Sequence, residues 1–153
     1  MRLTNLLTVD TIIADLKATD KENTIREMVE RLHSIKLVND KEKIEQSLLE
    51  REKLGSTGIG SHVAIPHAKC DDIEGITAMF GKSVNGIEFS SLDDKKVHYV
   101  FLLLAPQSEA GNHLKLLARI SRLVKTDGFT SKLKEMNTPA EILEIFSMAE
   151  HSL

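Results

Sequence analysis

Two histidines and a cysteine stand close together in the segment TGIGSHVAIPHAKC, residues 57–70. His67 follows the short apolar run 63–65 and Pro66, so its imidazole is expected at the end of a strand. Near neutral pH, an imidazole in such a place is suited to act as a nucleophile, a proton carrier or a metal ligand. The alternative is a histidine that only bonds the backbone of a capped loop, and the local pattern leaves both roles open.

Two further side chains lie where they would favour an anion. His113 comes at the start of a predicted helix, where free N–H groups and the helix dipole attract a phosphate-sized group. Arg51 lies near the end of another predicted helix, and its guanidinium is able to bind phosphoryl oxygens in a forked geometry. From the local sequence alone, a solvent-exposed charge is the simpler explanation of Arg51. The remaining histidines, His33, His98 and His151, are expected to be structural or exposed.

Three other chemistries fit the sequence poorly. The segment GSTGIG, residues 55–60, lacks the Gly-Lys-Ser/Thr end of a P-loop and does not match G-x-G-x-x-G, so no nucleotide site is expected. The spacing of His62, His67 and Cys70 matches none of the common structural zinc signatures, so no metal or other cofactor is expected. Serine hydrolysis lacks a nucleophile elbow.

The elements that would position these residues alternate between strands and helices. An amphipathic pattern with Asp20 as a helix cap and the sequence Thr138-Pro139-Ala140-Glu141 are clear helix starts. Asn85-Gly86 is a turn signal. The predicted order is a strand at 11–16, helices at 20–35 and 39–54, a loop at 55–60, strands at 63–67 and 76–82, the segment NGIEF with its turn at 85–86, a strand at 97–105, and helices at 111–124, 129–136 and from 138 onward.

This order predicts an α/β fold, a three-layer α/β/α sandwich around a mixed β-sheet. The length of 153 residues suggests one domain. A net charge of −3 without a basic stripe gives no support to a nucleic-acid partner. One cysteine fits a reducing compartment. The longest apolar stretch is far shorter than the roughly 20 residues that cross a bilayer, and no signal peptide is visible. A cytoplasmic protein without direct membrane insertion is therefore expected.

The segment LLEREKLGSTGIGSHVAIPHAK, residues 48–69, resembles the signature of the type-2 enzyme IIA domains of the bacterial phosphoenolpyruvate-dependent phosphotransferase system. These are the fructose- and mannitol-type domains and the nitrogen-related enzyme IIA. The later segment NHLKLLARISRLV resembles the second histidine segment of the family, with His113 in its place. The resemblance covers nearly the whole chain, 1–153, as a single domain. It departs from the commoner patterns at His62 and Ala68, neither of which is a transfer residue.

The resemblance implies a phosphotransferase that works as a phosphohistidine relay. His67 would accept a phosphoryl group from the histidine phosphocarrier protein, through Nε2. His113 would hydrogen-bond that group, and Arg51 would help to neutralise its charge. Phosphoryl transfer depends mostly on positioning and charge stabilisation, so these residues suffice without a metal or cofactor.

Two outlets for the phosphoryl group follow from the same resemblance. A nitrogen-type regulatory enzyme IIA, acting on partner proteins outside the transport system, is favoured because the chain has no enzyme IIB or IIC segment and because REKLGSTGIG is closer to that branch. The alternative is a sugar-specific enzyme IIA that passes the group to an enzyme IIB for sugar uptake. A binding module without phosphorylation is a third class, and the joint presence of Arg51, His67 and His113 argues against it.

Overall fold

The computed structural model describes residues 1–153, and its elements alternate largely as the sequence predicts. The helices are α1 (Lys21–Ser34), α2 (Lys41–Lys53), α3 (Ala110–Lys125), α4 (Phe129–Glu135) and α5 (Pro139–His151). The strands are β1 (Ile12–Ile13), β2 (Gly58–Gly60), β3 (Val63–Ala64), β4 (His67–Lys69), β5 (Thr77–Ile87) and β6 (Val97–Ala105). None of the helices is both long and apolar enough to cross a bilayer.

Side-chain caps begin three of the helices. Asp20 accepts a hydrogen bond from the N–H of Asn23 at 2.8 Å and so caps α1. Asp40 caps α2, and Thr138 caps α5 by accepting from the N–H of Glu141 at 3.2 Å. Because a cap satisfies N–H groups that have no partner inside the helix, these residues fix where the chain turns helical. The predicted starts of these helices are confirmed.

The sheet is mixed, with the strand order β1-β5-β6-β3-β2. β5 and β6 are antiparallel, whereas β3 and β4 both run parallel to β6 along its other side. Pro66 lies between β3 and β4, where the ladder is interrupted and its missing N–H costs no bond. Its carbonyl still accepts from the N–H of Leu103 at 3.0 Å. β3 and β4 therefore act as one interrupted strand, and His67 begins its second half.

Two separate cores lie on the two faces of the sheet, which confirms the three-layer α/β/α sandwich. One core packs α1 and α2 against the sheet, and the other packs α3, α4, α5 and the N-terminal turns against the opposite face. Alternate side chains of β6 enter the two cores, with Leu102 in the first and Leu103 in the second. Since both of its faces are buried, β6 has the nearly continuous apolar sequence that predicted it.

The predicted loop at residues 55–60 is partly wrong, because Gly58–Gly60 forms β2. This strand pairs antiparallel with β3 through a tight turn at Ser61 and His62, whose φ angles are 55° and 67°. Positive φ at both central residues is the geometry of a type I′ hairpin turn, and it matches the twist of the two strands. The glycine-rich sequence hid this strand because it lacks the usual β-branched residues.

The predicted turn at Asn85-Gly86 is also wrong. β5 runs on to Ile87, and its register with β6 shifts between Lys82 and Ile87. Gly86 has a φ of 92°, and its N–H donates to Ser83 Oγ at 3.0 Å. The dipeptide therefore makes a bulge inside a strand, where glycine is also favoured. At the N-terminus, only Ile12–Ile13 of the predicted strand 11–16 is extended, because residues 9–11 form a 3₁₀ turn capped by Thr8.

Candidate active site

His67 begins β4 and is half-buried. Its Nδ1 lies 2.7 Å from the carbonyl oxygen of Ile65. A carbonyl oxygen only accepts hydrogen bonds, so Nδ1 carries the proton and the neutral ring keeps its lone pair on Nε2. The backbone thus fixes the tautomer in which Nε2 is the nucleophilic nitrogen.

His113 lies in the first turns of α3, with its ring beside that of His67. The ring centroids are 5.4 Å apart and the ring planes are nearly perpendicular, at 79°. His113 is only 4% exposed, and its Nε2 is buried without a hydrogen-bond partner. An unsatisfied buried nitrogen is costly, so it marks a place where a bound group would supply the missing partner.

Arg51 reaches the same place from the last turn of α2. Its Nη1 donates to the carbonyl oxygen of Gly55 at 2.8 Å, which anchors the guanidinium and leaves its other N–H groups available. A cleft of about 600 Å³ lies between α2, β4 and α3. The structure therefore brings the three residues predicted from the sequence together. The cleft is lined by Ser47, Glu50, Arg51, Leu54, His67, Ala68, Lys69 and His113.

Burial lowers the pKa of both histidines. For His67, burial is the largest cause; the bond to Ile65 opposes it, and the Arg51 guanidinium lowers the pKa further. For His113, burial again comes first, followed by the neighbouring His67 and Lys69. Both rings are therefore held neutral at physiological pH, which is the state that a nucleophilic imidazole requires.

Sequence reasoning assigned no role to Lys69, although it lines the cleft. It lies two residues after His67 in β4, so both side chains project from the same face of the strand. This period-two spacing was the signal available in the sequence. Lys69 adds a second positive charge beside the two imidazoles.

Glu52 is another residue to which sequence reasoning gave no role. It is buried at the end of α2, and its carboxylate accepts the N–H of Thr57 at 3.1 Å. This contact joins the end of α2 to the chain that leads into β2. Gly58 follows at once, and a Cβ there would lie 3.0 Å from the Cα of Ser91, so the close approach requires glycine.

His62, His98 and Cys70 do not line the cleft. His62 is exposed, with Nδ1 2.8 Å from the carbonyl of Lys96, and its ring lies against that of His98. His98 in turn bonds the carbonyl of Ser83. Burial raises the pKa of the Cys70 thiol to about 11. No three metal-ligating side chains converge, so His62, His67 and Cys70 do not form a common site.

A larger depression of about 750 Å³ lies beside α1 and α2. Its walls are mostly carboxylates, and no histidine or arginine lines it. The cleft at His67 is smaller, yet it alone combines a nucleophilic nitrogen, an unpartnered nitrogen and two cations. We therefore place the candidate active site there.

Comparison with known proteins shows the family of the chain. Residues 5–149 match the family model described as phosphoenolpyruvate-dependent sugar phosphotransferase system, EIIA 2. A nitrogen regulatory protein of Bradyrhizobium diazoefficiens is 35% identical over 148 residues, covering 97% of this chain and 96% of that protein. The fructose-specific EIIABC component of Bacillus subtilis is also 35% identical over 147 residues, covering 96% of this chain but only 23% of that protein.

Among solved structures, the nitrogen regulatory protein IIA-Ntr from Neisseria meningitidis superimposes with a TM-score of 0.86 at 27% identity. The match covers 94% of this chain and 98% of that one. With a family match over nearly its whole length, the chain belongs to the type-2 EIIA family, the phosphotransfer components of the phosphoenolpyruvate-dependent sugar phosphotransferase system.

Proposed function

We propose that residues 1–153 form one phosphocarrier domain that accepts a phosphoryl group from the histidine phosphocarrier protein onto Nε2 of His67. In this step the P–N bond of the donor breaks as the lone pair of Nε2 forms a new P–N bond. The donor imidazole takes back its electron pair. No oxidant, metal or nucleotide enters the balance.

One observation carries this proposal. Of the two neighbouring imidazoles, one keeps a free nitrogen lone pair and the other has a buried nitrogen without a hydrogen-bond partner. His67 has its Nδ1–H committed to Ile65, which leaves Nε2 as the attacking atom. His113 has a buried Nε2 without a partner. In the tautomer that carries its hydrogen on Nε2, that nitrogen would donate to a phosphoryl oxygen. Arg51 and Lys69 add positive charge to the same cleft. Phosphoryl transfer needs little more than this positioning and charge.

The surface beside the cleft supports a protein as donor and acceptor. Leu54 lines the cleft and is 85% exposed, and Leu114, which follows His113, is 70% exposed. Exposed apolar side chains next to a polar site are typical of protein-binding surfaces. A small substrate would not need apolar groups outside the cleft. We infer that partner proteins dock over the imidazoles through Leu54 and Leu114.

For the outlet, we propose nitrogen-type regulation through partner proteins. The mutual coverage with the Bradyrhizobium protein and the TM-score of 0.86 with IIA-Ntr support this choice. The alternative is a sugar-specific role in which the group passes to an enzyme IIB. It has its own support, since the fructose-specific relative is equally identical to this chain.

The first experiment is incubation of the protein with enzyme I, the histidine phosphocarrier protein and phosphoenolpyruvate, followed by intact mass measurement. We expect a gain of one phosphoryl group, about +80 Da, in the wild type. His67→Ala should show no gain, and His113→Ala should gain the group more slowly. His62→Ala is the matched control and should behave as the wild type. A full gain in His67→Ala would overturn the assignment of the acceptor.

A second experiment separates the two outlets. The phosphorylated protein is mixed with a purified enzyme IIB from the same cell, and loss of the group is followed by mass. Under the regulatory proposal the group stays on His67, and only one phosphorylation state binds a protein outside the transport system. Rapid transfer to enzyme IIB would establish the alternative.

A further inference from the structure

The carboxylate of Glu52 accepts two hydrogen bonds and forms one ion pair, although its side chain is only 4% exposed. It accepts from the N–H of Thr57 at 3.1 Å and from the hydroxyl of the same residue. The ammonium of Lys21 lies 3.0 Å from its Oε2. A buried carboxylate is retained only when it is paired and hydrogen-bonded. Here Lys21 pairs the charge and Thr57 supplies the hydrogen bonds.

From Thr57, two backbone-directed hydrogen bonds continue to the imidazole of His67. The carbonyl of Thr57 accepts from the N–H of Ile65 at 3.0 Å. The carbonyl of Ile65 then accepts from Nδ1 of His67 at 2.7 Å. Glu52 thus stands at the start of a continuous chain of hydrogen bonds that ends on the ring.

Lys21 connects the Glu52 end of this chain to a second helix. It is the first residue of α1, and its ammonium also lies 5.0 Å from the centre of the Phe89 ring. The network therefore joins α1, the end of α2 and the segment between β3 and β4.

We propose that Glu52 is a positioning residue for phosphoryl transfer, acting through Thr57 and Ile65 to hold the Nε2 lone pair of His67 in place. The proposal rests on the role of His67 given above. Glu52 touches neither the phosphoryl group nor the imidazole. Its carboxylate holds Thr57, the carbonyl of Thr57 holds the N–H of Ile65, and the carbonyl on the other side of Ile65 selects the tautomer and the orientation of the ring.

If Glu52 is replaced by a neutral residue, the loss of its charge and the loss of its positioning role predict opposite changes in the rate of phosphoryl transfer. A carboxylate near His67 raises the pKa of the imidazole, so removing that charge would favour the neutral, attacking form. If Glu52 acted by charge alone, its neutral replacement would not slow the transfer at low pH. A slower transfer therefore reports the loss of positioning.

The experiment compares Glu52→Gln with wild type by two measurements. The first is the tautomer of His67, from the ¹⁵N shifts of Nδ1 and Nε2 in the unphosphorylated chain 1–153. The second is the rate of phosphorylation by the histidine phosphocarrier protein. We expect Glu52→Gln to lower the Nδ1–H fraction and to slow phosphorylation by about ten-fold or more, because small displacements of reacting atoms have large effects on rate.

Two sets of variants serve as controls. Glu42→Gln removes the same charge from an exposed position of α2 and should leave both measurements unchanged. Thr57→Ser keeps the hydroxyl and should behave as wild type, whereas Thr57→Val removes it and should shift both measurements in the direction of Glu52→Gln. If Glu52→Gln does not fold, the contrast between Thr57→Ser and Thr57→Val tests the same chain of bonds.

A wild-type tautomer and rate in both Glu52→Gln and Thr57→Val would overturn the proposal. This result is distinct from failure of the proposed function, in which the wild type itself takes up no phosphoryl group. The tautomer measurement needs no phosphorylation, so it tests the positioning of His67 in either case.

Discussion

The imidazoles of His67 and His113 lie in surroundings that favour their neutral forms. Burial disfavours the charged form of each ring, and nearby cations act in the same direction. The neighbouring His67 ring, whose centroid is 5.4 Å away, also lowers the pKa of His113. The proposed attack by Nε2 therefore does not require a separate base to remove a proton.

We expect NMR titration to place the pKa of His67 and of His113 below 6.5. Arg51→Gln should raise the pKa of His67, because the guanidinium no longer disfavours the imidazolium, while Arg51→Lys should keep it low. Phosphorylation of His67 should raise the pKa of His113, since a phosphoryl dianion favours a neighbouring cation. An unchanged His67 titration in Arg51→Gln would contradict this account of the site.

The helices and strands show how far local sequence signals reach. Asp20 and Thr138 act as caps within their own turn of chain, so the sequence alone was enough to place those helix starts. β2 pairs locally with β3, but it also depends on the contact of Gly58 with Ser91 and on the pairing of β3 with β6, which are not local. Gly86 has the same local chemistry in a turn and in a bulge, so only the pairing of β5 with β6 separates the two.

The residues of the candidate site also differ in how far the sequence alone predicts them. His67, His113 and Arg51 were predictable because their sequence segments resemble a family, and the structure then brings them to one cleft. The ion pair of Glu52 with Lys21 was not predictable from the sequence. It depends on the distance between α1 and α2, which no spacing within one segment encodes.

Gly58 provides a test at the level of β2. In Gly58→Ala the new Cβ would lie 3.0 Å from the Cα of Ser91 and closer still to its hydroxyl, so the backbone must move. We expect a loss of about 1–3 kcal/mol in the free energy of unfolding, measured with urea. Gly111→Ala is the matched control, because nothing lies within 4 Å of its Cβ, and a gain of about 0.4–1 kcal/mol is expected there. Equal stability of the two variants would refute the close packing of β2.

At the scale of the whole molecule, Glu150 joins the two ends of the chain. Its carboxylate accepts from the N–H groups of Leu3 and Thr4 at 2.8 and 2.7 Å, and from Nε of Arg119 at 2.5 Å. Burial acts to raise the pKa of Glu150, but the bonds from Arg119 and the two N–H groups outweigh it and hold the pKa below its usual range. The α3–α5 side of the molecule therefore depends on this ionised carboxylate.

We expect Glu150→Gln to lower the free energy of unfolding by about 1–3 kcal/mol near pH 7, because charge-assisted bonds are lost. A carboxyl with a lowered pKa stabilises the fold above the unfolded pKa and loses that effect as the pH falls through the folded pKa. The difference between the wild type and Glu150→Gln should therefore shrink as the pH falls below about 4.5. A difference that is independent of pH from 7 to 3, in urea unfolding, would contradict the ionised role.

The two cores on opposite faces of the sheet have a consequence for how activity is lost. Arg51 is held by the α1–α2 face, whereas His113 is held by the α3–α5 face. The candidate site thus draws on both cores, and loosening of either face would displace one of the proposed transfer groups. Phosphoryl acceptance should decline at lower urea concentration than the far-ultraviolet helical signal, and the lifetime of the active protein would be that of its weaker face.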